Sequence, residues 1–159
     1  MRKSLWAVVV LIMVLVSAVV GASTDAEAGK AELLALHQRD IEAHLQGDVA
    51  WLAGRSSDSF FSVDRGEVSF PTAGDREAMF RSYLGATSFT EYRDLREPLV
   101  RVSADGSLAW MAVQVKVAGV QRDASGAERP LEFVSAWVML YEKRGGEWVR
   151  AGVASTFKP

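Results

Sequence analysis

The segment from Leu131 to Tyr141 would put apolar side chains on both faces of any strand it forms, and no other stretch limits the fold as strongly. Phe133, Trp137, Met139 and Tyr141 share one face with Ser135, while Val134, Ala136, Val138 and Leu140 share the other. A half-solvated antiparallel strand turns polar at every second residue, so both faces of this one need cover. Helices of the same chain can cover one. A second copy of the chain is the economical cover for the other, which makes a homodimer the expected assembly.

The helices precede the strands. From Ala31 to Gln46 the apolar residues Leu33, Leu34, Ile41 and Leu45 recur at helical spacing, opposite Glu32, Arg39, Glu42 and Gln46. Gly47 ends that helix, and Asp48 is placed to cap a short second one carrying Val49, Trp51 and Leu52. Phe60 to Val63 and Val68 to Phe70 read as strands around the turn Asp64-Arg65-Gly66-Glu67. A third helix spans about Asp75 to Leu84, capped by Thr72 or Asp75, with Gly85 as its left-handed terminator. Beyond it the pattern predicts strands at Ser88 to Tyr92, Leu99 to Ser103, Leu108 to Val117, Leu131 to Tyr141 and Trp148 to Phe157. Two tight turns contain Asp105-Gly106 and Gly145-Gly146, and Gln121 to Pro130 is a longer polar connection. Helices first and an antiparallel meander afterwards predict an α+β domain with the helices on one side of the sheet.

The N-terminus reads as an export signal. Arg2 and Lys3 precede an apolar run from Leu5 to Val20, broken only by Ser17, and Gly21 and Ala22 supply small residues for cleavage after Ala22. Ala26 and Ala28 offer a second cut. The expected organisation is a signal peptide over 1–22, a short linker over 23–30 and one domain over 31–159, in the periplasm or secreted. A retained segment would instead tether the domain to a membrane. With no cysteine, there is no lipid-modified cysteine, disulfide or thiol chemistry, and the domain folds on its core alone. A formal charge of −2, more negative once Arg2 and Lys3 are removed, argues against a nucleic-acid partner.

The stretch Ala43-His44-Leu45-Gln46-Gly47-Asp48, the short helix with Trp51 and Leu52, then Asp58 and Phe60-Phe61-Ser62-Val63 resemble the opening of the nuclear transport factor 2-like superfamily. The likeness is nearer to its SnoaL-like and ketosteroid-isomerase-like branches, and it extends through the third helix to the terminal Ala154-Ser155-Thr156-Phe157 strand. It implies a cystatin-like cone, in which a strongly curved antiparallel sheet wraps the first helix and leaves an apolar cavity at the open end. Enzymes and non-enzymes share that architecture, so fold alone assigns no function.

Three polar residues of the first helix, His37, Asp40 and His44, fall on one line at the edge of its apolar face. Asp40 and His44, four residues apart, can touch, and a carboxylate beside an imidazole favours the charged form of both. A surface ion pair or a satisfied core histidine is the plainer account of the same spacing. Counted from the shared Gly-Asp, the resemblance places Asp64 at the proton-shuttling aspartate of ketosteroid isomerases and Asp40 at their oxyanion-donating tyrosine. Their second oxyanion carboxylate would fall near Trp137, where no acid stands, which argues against steroid isomerisation itself. Asp64 also reads as a solvent-exposed turn residue.

Trp51, Phe60, Phe70, Tyr83, Trp110 and Trp137 are the aromatic candidates for a pocket wall, with Ser62, Gln114 and Ser135 as orienting polar groups. About 10 Å separates His37 from His44 along the helix, too far to share one ion. Nucleotide, metal and cofactor signatures are missing, so no metal or cofactor is expected. The leading expectation is an exported domain that binds a small apolar or amphipathic molecule. One alternative is a proton-transfer enzyme of isomerase, dehydratase or cyclase type using Asp40 with His44, or Asp64. The other is a dimeric protein-interaction module whose cavity is filled by its own aromatic side chains.

Overall fold

The structure, a computed structural model, describes residues 4–158, and the side chains of residues 25–158 except 157. The expected signal segment at 1–22 lies outside the residues whose surroundings are described. Helix α1, Ser4–Gln46, is continuous, so residues 23–30, expected as a linker, are helical. The reason is packing: Gly29 is buried, and a Cβ there would sit 3.2 Å from the Trp148 ring and 3.5 Å from Val102. Docking on the sheet keeps this turn helical where the sequence offers little periodic apolar signal.

Gly47 ends α1 with φ 71°, a conformation suited to glycine. Asp48 then caps α2, Val49–Ala53, its carboxylate accepting from the Trp51 backbone N–H. Strands β1, Ser56–Asp64, and β2, Glu67–Ser69, form a hairpin. Its turn holds Arg65 at φ 49° and Gly66 at φ 83°, the two left-handed residues of a type I′ turn. Helix α3, Ala73–Ala86, starts in a capping box between Thr72 and Asp75. Gly85 does not terminate it. The helix runs through Gly85 to Ala86, and Thr87 caps it in an extended conformation.

Five strands complete the chain: β3, Thr87–Asp94; β4, Leu99–Val102; β5, Leu108–Arg122; β6, Glu128–Arg144; and β7, Glu147–Lys158. The sheet order is β2-β1-β7-β6-β5-β3, with β4 also paired to β5. The meander is antiparallel, but β1 runs parallel to β7, so the sheet is mixed. The expected long connection after Gln121 is mostly strand, because Arg122 pairs with Glu128 and the turn shrinks to the residues between them. Asp123 holds that turn by accepting from the N–H groups of Ser125 and Ala127.

Breaks in strand register between Phe89 and Glu91, and between Leu140 and Tyr141, mark the bends in the sheet. Gly152 sits near the second bend, where a Cβ would run into the Phe61 ring. Alternation sends Met111, Val113, Val115 and Val117 of β5 inward. Leu33 of α1 packs with Val100, Met111, Val113, Tyr141 and Trp148 to close one end of the cone. A fully buried leucine of this kind contributes about 1.5–3 kcal/mol. Beyond Leu33 toward its C-terminus, α1 stays packed through Leu36, Ile41 and Ala43 while His37, Asp40, Ile41 and His44 line open space.

Candidate functional site

The open end encloses a cavity of about 600 Å³ between the C-terminal half of α1, the inward side of α3 and the concave face of β1, β6 and β7. His37, Asp40, Ile41 and His44 line it from α1, at the i, i+3, i+4, i+7 spacing that keeps residues on one helical face. From α3 come Arg76, Met79, Phe80 and Tyr83, and from β6 come Phe133, Ser135, Trp137 and Met139. The same alternation that sends Phe60, Ser62 and Asp64 of β1 inward turns Phe61 and Val63 away.

The predicted line of His37, Asp40 and His44 therefore reaches the cavity, but the side chains of Asp40 and His44 do not pair as expected. His37 is buried, and its Nε2 lies 2.9 Å from Oδ1 of Asp94, a residue of β3. Asp40 Oδ1 accepts from Trp51 Nε1 at 2.7 Å and from Arg150 Nη2 at 2.5 Å. Arg150 in turn donates Nη1 to the carbonyl oxygens of Leu52 and Gly54. Both side-chain contacts of Asp40 use it as an acceptor. It anchors Arg150 and ties α1 to β7, which is incompatible with donating a hydrogen bond to an oxyanion through that oxygen.

His44 meets the backbone of Asp40, not its carboxylate: Nδ1 donates to the Asp40 carbonyl at 2.7 Å. A carbonyl accepts only, so the proton sits on Nδ1 and the neutral ring carries its lone pair on Nε2. Burial is the largest influence on this imidazole and holds its pKa below the ordinary 6.5, outweighing the Asp40 contributions that raise it. The expectation of a charged His44 is thus reversed by desolvation. The ring stacks on Tyr92, with centroids 4.4 Å apart, and meets the edges of Phe80 and Phe89. Nε2 has no protein partner among the described residues.

Asp64 lies at the cavity mouth and pairs with Arg65 at 3.0 Å, which combines its two expected placements, turn and pocket. Phe60, Ser62, Tyr83, Ser135 and Trp137 line the cavity as expected. Four candidates do not. Trp51 packs outside it against the guanidinium groups of Arg39 and Arg55, Phe70 is 73% exposed, and Trp110 and Gln114 lie on the convex face. The last two pair with Leu140 and Ala136, whose side chains alternate away from the cavity lining.

Arg76 and Tyr92 are cavity residues that the sequence reading missed. Tyr92 is raised well above the ordinary tyrosine range by burial, and Tyr83 is raised to about 12 by the same cause, so both hydroxyls keep their protons at neutral pH. Arg76, 7% exposed, donates Nη1 to the Pro71 carbonyl and lies over the Phe60 ring. The spacing of Arg76, Phe80 and Tyr83 at i, i+4, i+7 was the available signal. Among the described residues no three His, Asp or Glu side chains gather to hold a metal ion.

No family model and no curated protein matches the chain, whereas solved structures do. A nuclear transport factor 2-like protein from Cytophaga hutchinsonii superposes with a TM-score of 0.63 at 15% identity, covering 80% of this chain and 96% of its own. A ketosteroid isomerase-like protein from Erwinia carotovora atroseptica gives 0.62 at 16% identity, over 81% and 96%. The association domain of C. elegans CaMKII gives 0.58 at 16% identity, over 82% and 97%. At such identities the likeness speaks for architecture, and it agrees with the order of helices and strands described above. The chain has the nuclear transport factor 2-like, cystatin-like α+β fold.

Proposed function

We propose that the chain binds a small, largely apolar molecule in the cone. The observation that carries this reading is the cavity of about 600 Å³, walled by Phe60, Phe80, Tyr83 and Trp137 with a row of polar groups along α1. Pockets of this size, mostly apolar with a few placed polar groups, suit drug-sized ligands. The open volume speaks against an interaction module whose own aromatics fill the cone. Mass spectrometry of protein purified from its native compartment is expected to reveal a co-purifying small molecule. Repeated absence, with no thermal stabilisation across a broad ligand screen, would sink the reading.

The N-terminal apolar run supports action outside the cytoplasm, in the periplasm or beyond, after cleavage near Ala22. N-terminal sequencing of the exported protein tests the cut. The exposed apolar residues of the convex face support a homodimer, and the association domain among the structural neighbours is compatible with one.

A second reading, proton transfer on the bound molecule, is favoured by one observation. His44 lines the cavity and is held neutral, with its Nδ1 proton tied down and no protein partner on Nε2 among the described residues. That is the arrangement of a general base. Deuterium exchange into a bound carbon acid, lost in His44→Phe, is the expected signature. Equal exchange with and without the imidazole would remove His44 from the chemistry.

A further inference from the structure

The charged groups around the cavity are not equally satisfied. Asp40 is paired with Arg150, His37 with Asp94, and Asp64 with Arg65. Asp75 is committed to the capping box, accepting from the backbone N–H and hydroxyl of Thr72. Arg76 is the exception. It is buried to 7% exposure, and among the described residues no carboxylate comes within ion-pair distance of it, the neighbouring Asp75 acting on it only through space. Its one hydrogen bond is from Nη1 to the Pro71 carbonyl, while Nε is shielded from water with no acceptor.

Taking a guanidinium out of water without an anion is costly, and such groups are ordinarily paired. Nε and Nη2 together form the side-on edge of a guanidinium, the edge that grips a carboxylate with two parallel N–H donors. In Arg76 that edge is without a protein acceptor, and the residue lines the cavity. The Phe60 ring lies against the guanidinium, and Phe80 and Tyr83 follow Arg76 along the same face of α3.

The geometry points to a carboxylate as the defining group of the ligand: Arg76 receives the anion of a small apolar monocarboxylic acid whose hydrocarbon body lies along Phe60, Phe80 and Tyr83. This rests on the cavity being a ligand site and names the class of ligand it takes. Nη1 keeps Pro71, which leaves Nε and Nη2, the donors without a protein acceptor, for the two carboxylate oxygens. The hydrogen bond to Pro71 and the capping box just ahead of Arg76 in the chain fix the stem, so the anion is bound at a set depth. The interior end of the ligand then extends toward α1, whose His37 and His44 also line the cavity.

The test uses matched pairs of acid and primary amide, from phenylacetate and phenylacetamide to octanoate and octanamide, titrated calorimetrically at neutral pH. The full-length domain is expected to bind at least one acid ten-fold or more tightly than its amide. Arg76→Gln should erase that preference and Arg76→Lys should keep part of it, with circular dichroism confirming that both variants are folded. Equal binding of acids and amides to the unaltered protein would overturn the carboxylate inference and leave the small-molecule reading standing. Retention of the preference in Arg76→Gln would likewise overturn it. If no pair binds at all, the carboxylate inference falls, and the small-molecule reading is judged separately by co-purification.

Discussion

The imidazole of His44 lies nearly parallel to the phenol ring of Tyr92, with centroids 4.4 Å apart and planes inclined by 23°. The stack places a titratable ring from the last turn of α1 against β3, in a setting apolar enough to disfavour its charged form. The consequence is a pH dependence with a definite sign. In the unfolded chain His44 titrates near the ordinary 6.5, whereas in the folded chain it titrates lower. As pH falls below about 6.5 the unfolded state takes up the proton first, so stability declines until the folded-state value is passed and then levels off. Urea midpoints measured from pH 7.5 to pH 5 should fall more for the unaltered protein than for His44→Phe. The difference has an upper limit of about 1.4 kcal/mol per pH unit. Parallel curves would show that His44 is not desolvated.

The ion pair between Asp40 and Arg150 is largely hidden from solvent, with 17% and 8% of the two side chains exposed. Asp40→Ala strands the arginine beside the carbonyl groups of Leu52 and Gly54, and a loss of about 3–5 kcal/mol is expected in chemical denaturation. The double change Asp40→Leu with Arg150→Met should recover much of that loss, since no buried charge remains. If the single change costs under about 1 kcal/mol, the pair is better solvated than its burial indicates.

On the convex face Leu99, Leu108, Trp110, Val138 and Leu140 are each more than a third exposed. A contiguous apolar surface of this kind marks an interaction site, and the register Trp110 to Leu140 places its central pair side by side. Sedimentation at micromolar concentration should give a dimer for the unaltered chain and a monomer for Leu140→Glu, with the cavity's ligand affinity little changed. A monomer in both cases would show that these side chains are simply exposed.

Local signals were legible in the sequence where a local interaction decides the structure. Gly47, Asp48 and Thr72 each act within a few residues of themselves, and each does what its residue type predicts. Gly85 misleads because Thr87 enters β3 directly from the helix, so no left-handed residue is needed there. The parallel pairing of β1 with β7 joins residues about ninety positions apart, and no periodicity within either strand encodes it. Side assignment failed for Trp110 and Gln114 for the same reason. Their shared parity was readable, but which parity faces inward depends on the partner strand. Arg76 was passed over because arginine on a helix ordinarily reaches water, and only the fold reveals that Pro71 and Phe60 hold it inside.

Helix α1 meets the sheet closely at Gly29 and lines the cavity only further along, from His37 to His44. Fifteen residues, about 22 Å along the axis, separate Gly29 from His44. At Gly29 the helix lies so near the Trp148 ring that an added methyl group would press the ring by a few tenths of an ångström. A side chain added there makes either the Trp148 ring or this turn of α1 yield, and a displaced turn would carry His37 and His44 with it. The placing of those imidazoles in the cavity is therefore tied to a contact outside the cavity lining.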